Sequence, residues 1–171
     1  MSIRHVTIFY AAAFFLQLSV VNLISAGGMA PNLIFCVTIF IAFRFDRGWR
    51  CFPFAIAATL LLDLCAGAYL GVSSLALFLV MIFLIWVRYY INTDLLKTLL
   101  ATGAVCTVLY WIIYWLIQSI LKNYYSLGYI LRFQPCFIAY NLIIMAILWF
   151  FYSSTFRKWK LRGLPDEEEE S

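Results

Sequence analysis

APNLIFCVTIFIAFRFDRGWRCFPFAIAATLLLDLCAGAYLGVSSLA, residues 30–76, decides the fold of this chain. Two apolar runs, Ala30 to Phe45 and Cys51 to Ala66, flank a turn holding Arg44, Arg47 and Arg50. A second turn, Gly67 to Gly71, leads into a third apolar run, Val72 to Val87. Pro31 and Pro53 stand at the starts of the first two runs, where a first helical turn tolerates proline. A helix needs about 20 apolar residues to cross a bilayer, with a range of roughly 17–25. All three runs are short for full spans and could instead be buried or re-entrant segments, and the basic residues between them help to decide.

The composition extends this reading to the whole chain. Of its 171 residues 65% are hydrophobic and 12% charged. A soluble domain is about half apolar and about a quarter charged, because a small globule must cover its surface with polar groups. The surplus here means that the solvent is lipid. Aromatic residues at 19% agree, since Trp and Tyr favour membrane interfaces. The net charge of +4 conceals an arrangement, because five of the eight acids form one run, Asp166 to Glu170. Basic residues spaced between apolar runs point to membrane topology and away from nucleic acid.

Three further runs complete the pattern: Val6 to Ala26, Leu95 to Leu121 and Pro135 to Tyr152. Six crossings put Arg4, Arg44, Arg47, Arg50, Arg88, Lys97, Arg157, Lys158, Lys160 and Arg162 on one side and only Lys122 and Arg132 on the other. The positive-inside rule then predicts six spans with both termini in the cytoplasm. The expected fold is an all-α integral membrane protein, a compact bundle of about six transmembrane helices over residues 1–156. A basic and then acidic cytoplasmic tail follows at 157–171. Ile24-Ser25-Ala26 resembles a signal-peptidase site, but the five spans that follow favour a retained first helix. The segment Lys122 to Gln134, with its tyrosines, suits a connection lying in the outer headgroup layer.

Few residues could carry chemistry. Asp63, in Leu62-Asp63-Leu64, is an ionisable group inside an apolar run, and such groups are costly in hydrocarbon. Its simplest role is to cap the turn that follows, accepting N–H groups of the next helix; a partner contact and proton or ion coupling are the alternatives, the last without a second carboxylate at depth to form a relay. Gly67 and Gly71 have the G-x-x-x-G spacing of close helix contacts, but their place at a hairpin makes them turn residues. Ala55 with Thr59, and Gly103 with Thr107, form small-residue faces. Gln17, Asn22, Asn32, Gln118 and Asn141 are expected to bond across helices, since an unpaired amide in hydrocarbon costs several kcal/mol. Arg44, Arg47 and Arg50, with Arg157, Lys158, Trp159, Lys160 and Arg162, read as anchors that also favour anionic lipid. The five cysteines lack metal or redox spacing, and the one histidine, His5, adjoins the N-terminus. No cofactor, metal site or catalytic motif is expected, and no cluster of polar residues at one depth marks a membrane-embedded enzyme.

Residues 31–76 resemble the rod-shape-determining MreD family. Pro31-Asn32 opens an apolar run, a basic turn follows, and then come Leu62-Asp63, Gly67, and Leu70-Gly71-Val72 leading to Leu75-Ala76. That family often carries glycine shortly before the aspartate, where this chain has Ala57-Ala58-Thr59. The resemblance implies a non-catalytic subunit of the bacterial elongation complex in the cytoplasmic membrane. It would bind MreC, a single-span protein, and connect through it to the MreB filament, the RodA glycan polymerase and a class B penicillin-binding transpeptidase. It also implies that Pro31, Asn32, Asp63, Gly67, Leu70 and Gly71 support a partner-binding hairpin. The alternative is the substrate-binding subunit of an energy-coupling-factor vitamin transporter, whose fold is similar. The Ala-x-x-x-Ala pattern of those proteins is missing from the first run, which has Ala11-Ala12-Ala13 followed by Phe15.

Overall fold

A computed structural model describes residues 3–19, 31–45, 48–66, 69–90, 96–121 and 127–162. They form α1 (Ile3–Ser19), α2 (Leu33–Arg44), a single 3-10 turn (Gly48–Cys51), α3 (Phe52–Ala66), α4 (Val72–Tyr90), α5 (Leu96–Ile120) and α6 (Leu127–Arg162). α2 is the axis of the bundle and packs against each of the other five helices. Ten consecutive residues, Ile34 to Phe43, are buried. A helix apolar on every side needs an apolar environment on every side, and for α2 that environment is protein.

The other helices turn one face to α2 and the opposite face outward. Ile8, Phe15, Leu64, Ile82, Ile85, Ile112, Ile143 and Phe151 are among the large apolar side chains exposed on the outside. Inside, Thr38, Thr59, Thr107 and Asn141 are fully buried. Buried polar side chains under an apolar surface suit lipid, where interhelical contact comes from close packing and hydrogen bonds. Thr59 donates to the Ala55 carbonyl and Thr107 to the Gly103 carbonyl, each satisfying its hydroxyl within its own helix. The small-residue faces are therefore contact surfaces, and Gly103 sits directly against Met145 of α6.

Among the described residues three helices are long and apolar enough to cross a membrane: Val72–Tyr90, Leu96–Ile120 and the Gln134–Ser153 part of α6. Val6–Ser19, Leu33–Arg44 and Phe52–Cys65 are shorter apolar helices. The chain is an all-α, multi-pass membrane protein. Its helices alternate in direction: Gln17 at the end of α1 reaches the start of α2, and Asp63 near the end of α3 reaches the start of α4. At the opposite end, the Arg88 guanidinium of α4 donates to the Ala42 carbonyl of α2. Arg44 lies there over the rings of Trp149 and Tyr152, at 5.6 and 5.2 Å. Cations beside the last carbonyls of a helix meet the negative end of its dipole.

Prolines are placed differently from the sequence expectation. Pro31 precedes the Asn32 cap, so it stands just outside α2 and not in its first turn. Pro135 does not open α6, which begins eight residues earlier at Leu127, so residues 127–134 are helix and not a connection. Proline removes one helical N–H and leaves the carbonyl four residues back, at Leu131, without its usual donor. Leu131 is exposed, so headgroups or water can serve that carbonyl. Pro53 lies in the first turn of α3, as expected. The helix α6 also runs through Arg157, Lys158, Trp159, Lys160 and Arg162. Arg47, Gly67, Asn22 and the acidic run lie outside the described residues.

Gly48 fixes the turn between α2 and α3. A Cβ there would lie 2.5 Å from the Ile41 carbonyl oxygen and 2.7 Å from the Ala42 Cα. Both are backbone atoms of the buried helix, so neither can rotate away. Gly48→Ala is expected to cost more than the about 1–3 kcal/mol of an overpacked side-chain core. Thermal unfolding in detergent checks this, with Gly103→Ala as the comparison: there the obstacle is the flexible Met145 side chain, and the loss should be smaller.

Candidate functional site

The end of the bundle opposite Arg44 and Arg88 gathers its polar groups. The start of α2 is held from three directions. Asn32 caps it, its side-chain oxygen accepting from the Phe35 N–H at 3.0 Å. Gln17 of α1 donates to the Pro31 carbonyl at 2.9 Å and accepts from the Leu33 N–H at 2.7 Å. Asn141 of α6 accepts from the Asn32 N–H at 3.1 Å. The Cys36 thiol, fully buried, also points at Asn141, with its sulfur 3.5 Å from the side-chain oxygen. A helix start inside lipid-facing protein cannot give its free N–H groups to water. Three side chains, on α1, α6 and the cap itself, take them instead.

Asp63 performs the same service for α4. It is 5% exposed, and one carboxylate oxygen accepts from the Gly71 N–H at 3.0 Å and the Ser73 N–H at 3.2 Å. The negative charge faces the positive end of the α4 dipole. Gly71 has φ of 86°, in the left-handed region that favours glycine, and this aims its N–H back toward α3. Leu70, beside it, is 64% exposed. Among the described residues Asp63 is the sole acid.

Tyr110 of α5 joins the two clusters. Its hydroxyl lies beside the side chains of Asn32 and Ser73 and within electrostatic reach of Asp63. Its ring packs on Phe35 and stacks on Tyr114, and Tyr114 in turn receives the Gln118 amide at 3.1 Å. Gln118 thus serves its own helix through that bond, whereas Gln17 and Asn141 bond across helices as the sequence suggested. The structure also overturns the expectation that no polar residues cluster at one depth. Gln17, Asn32, Asp63, Ser73, Tyr110 and Asn141 come together, and no apolar run contains more than one of them. Tyr110 and Ser73 were missed. Their signal was weak: a phenol in mid-run far from either interface, and a serine at the second position of an apolar run.

The arrangement binds helices to one another. Among the described residues no group of three or more His, Cys, Asp or Glu side chains could hold a metal ion. Comparison with known proteins finds no matching family model, no matching curated protein and no matching solved structure.

Removing the Asp63 carboxylate leaves two N–H groups of the α4 start without their acceptor. Asp63→Ala is expected to lower stability by about 1–3 kcal/mol, and Asp63→Asn, which keeps an acceptor oxygen, should recover part of that loss. Asn141→Leu should cost a similar amount by unpairing the Asn32 N–H. Denaturant or thermal melts of the purified variants measure both.

Proposed function

We propose that this chain is a non-catalytic membrane subunit of the MreD type, which docks a single-span partner at the Asp63 end of the bundle. One observation carries the reading. The two short segments on which the resemblance rests, Pro31-Asn32 and Leu62-Asp63 to Leu70-Gly71, are 30 residues apart in sequence yet converge on Tyr110. A pattern whose parts come together around buried polar contacts is a pattern with a shared structural task. Here the task is to hold the α3–α4 hairpin in a fixed pose, with Leu70 and Tyr69 turned outward.

In this reading all six helices cross the membrane. α2 has only 12 residues, about 18 Å of rise, and it crosses through protein at a depth where its ends are capped by side chains. The alternation of helix directions and the basic residues at one end support this topology, with Arg44, Arg50, Arg88 and Lys97 toward the cytoplasm. The rigid hairpin would offer its apolar side to a partner's helix, where packing supplies affinity between transmembrane segments. The partner is an MreC-like protein of the bacterial cytoplasmic membrane. Through it the subunit helps organise MreB, RodA and the class B transpeptidase for lateral wall synthesis.

Leu70→Ser tests the docking surface without touching the polar cluster, because the side chain is exposed. The expected result is an unchanged melting temperature and a loss of about 1 kcal/mol or more in partner affinity, read by co-purification with an MreC-like protein. Depletion of the chain in a rod-shaped host should round the cells. Co-purification of a vitamin in place of a single-span protein would instead establish the transporter alternative.

A further inference from the structure

Among the described residues three buried side-chain polar atoms have no protein partner: Ser74 Oγ on α4, Trp111 Nε1 on α5 and Asn141 Nδ2 on α6. A serine hydroxyl can rotate toward a carbonyl of its own helix. The two N–H groups have no such freedom. The Asn141 side chain is fully buried, and its Oδ1 accepts from the Asn32 N–H at 3.1 Å, with the Cys36 sulfur at 3.5 Å. Turning the amide over would set Nδ2 against the Asn32 N–H, donor against donor. Oδ1 therefore stays toward the start of α2, and Nδ2 is directed away from it.

Both N–H groups belong to one seam. α6 packs on α2 and on α5, and two contacts set its register against α5. Gly103 sits against Met145, and the Trp111 ring meets Phe137 edge-on at 5.1 Å. Thr107 lies midway between Gly103 and Trp111, and Asn141 midway between Met145 and Phe137, so these two stand at one level. Thr107 is fully buried, and its hydroxyl proton goes to the Gly103 carbonyl at 2.7 Å. Its oxygen still has lone pairs with which to accept. Two donors and one acceptor thus lie along the seam within about one helical turn, 5.4 Å, of each other.

We propose that one internal water occupies the α5–α6 seam, accepting from Asn141 Nδ2 and Trp111 Nε1 and donating to Thr107 Oγ1. An N–H left unpaired in an apolar interior is costly, and a buried water typically makes about three hydrogen bonds, the number of partners this seam supplies. A lipid carbonyl cannot serve instead, because Asn141 is fully buried. For Trp111 the competing acceptor is the face of the Phe137 ring, a weaker partner than a water oxygen. The water carries the cap of α2 one helix further, from the Asn32 N–H through Asn141 to Thr107, and so joins α5 to the axis a turn deeper than Tyr110 does. The inference does not rest on the proposed function.

Water-edited solid-state NMR tests this on the isotope-labelled wild-type protein in phosphatidylcholine vesicles. Magnetisation starts on water protons and is read on nitrogen. Build-up at Asn141 Nδ2 and Trp111 Nε1 is expected to be at least about threefold faster than at the backbone nitrogens of Gly103 and Met145, one turn deeper, where the seam is closed by direct contact. Thr107→Val keeps the shape of the side chain and removes the acceptor, so build-up at both nitrogens should fall by at least about half. The wild-type comparison stands whether or not the variant folds. Build-up at either nitrogen no faster than at Gly103 and Met145 would overturn the proposal. So would an upfield-shifted Trp111 indole proton with no transfer from water, which places that N–H over the Phe137 ring, or a folded Thr107→Val protein with the wild-type build-up.

Discussion

Everything in this bundle depends on burying a helix that has no solvent-tolerant face. α2 carries ten consecutive buried residues, and the other five helices exist around it as a wall one helix thick. Its backbone is satisfied along its length by helical bonds, so the difficulty lies at its two ends. At one end Asn32, Gln17 and Asn141 take the N–H groups. At the other, Arg88 takes the Ala42 carbonyl, and Arg44 turns back over the aromatic rings of α6. Apart from the Asn32 cap, these contacts tie α2 to α1, α4 and α6, so capping the axis and assembling the wall are one event.

The polar end follows from that constraint. Amides and a carboxylate would be expensive strangers in hydrocarbon, but here each has a backbone group that needs it. Asp63 extends the same logic to α4, with Tyr110 as the bridge between the two helix starts. The result is a rigid patch of hydrogen bonds at one end of an otherwise apolar object, with Leu70 projecting beside it. The pose of the hairpin is thus set from within the bundle.

Much of the fold was legible in the sequence, and the reasons are physical. Apolar runs of bilayer length separated by basic turns fixed the helical membrane class. The role of Asp63 followed from its place before a glycine-bounded turn, since a carboxylate there has nearby N–H groups to accept. What could not be read was which run is the axis. The residues of α2 look like those of any lipid-facing segment, because protein interior and lipid are equally apolar. The gathering of Gln17, Tyr110 and Asn141 was hidden for a related reason: each sits alone in its run, and only packing unites them. The prolines misled because a first helical turn is a frequent place for proline but not an obligatory one. At Pro135 the exposed Leu131 turn tolerates the missing bond.

The central position of α2 also bears on how the protein is made. The ribosome releases α2 before α3, α4, α5 and α6, yet α6 supplies Asn141 and α4 supplies Arg88. A nascent chain ending before α4 would therefore present a 12-residue hydrophobic helix with Asn32 and Gln17 at its start but neither Asn141 nor Arg88 in place. The sides of it that α4, α5 and α6 cover stay open until those helices arrive. The α3–α4 hairpin, by contrast, carries its own cap within ten residues and can insert as a unit. The surroundings of α2 are therefore complete only once α4 and α6 have joined it.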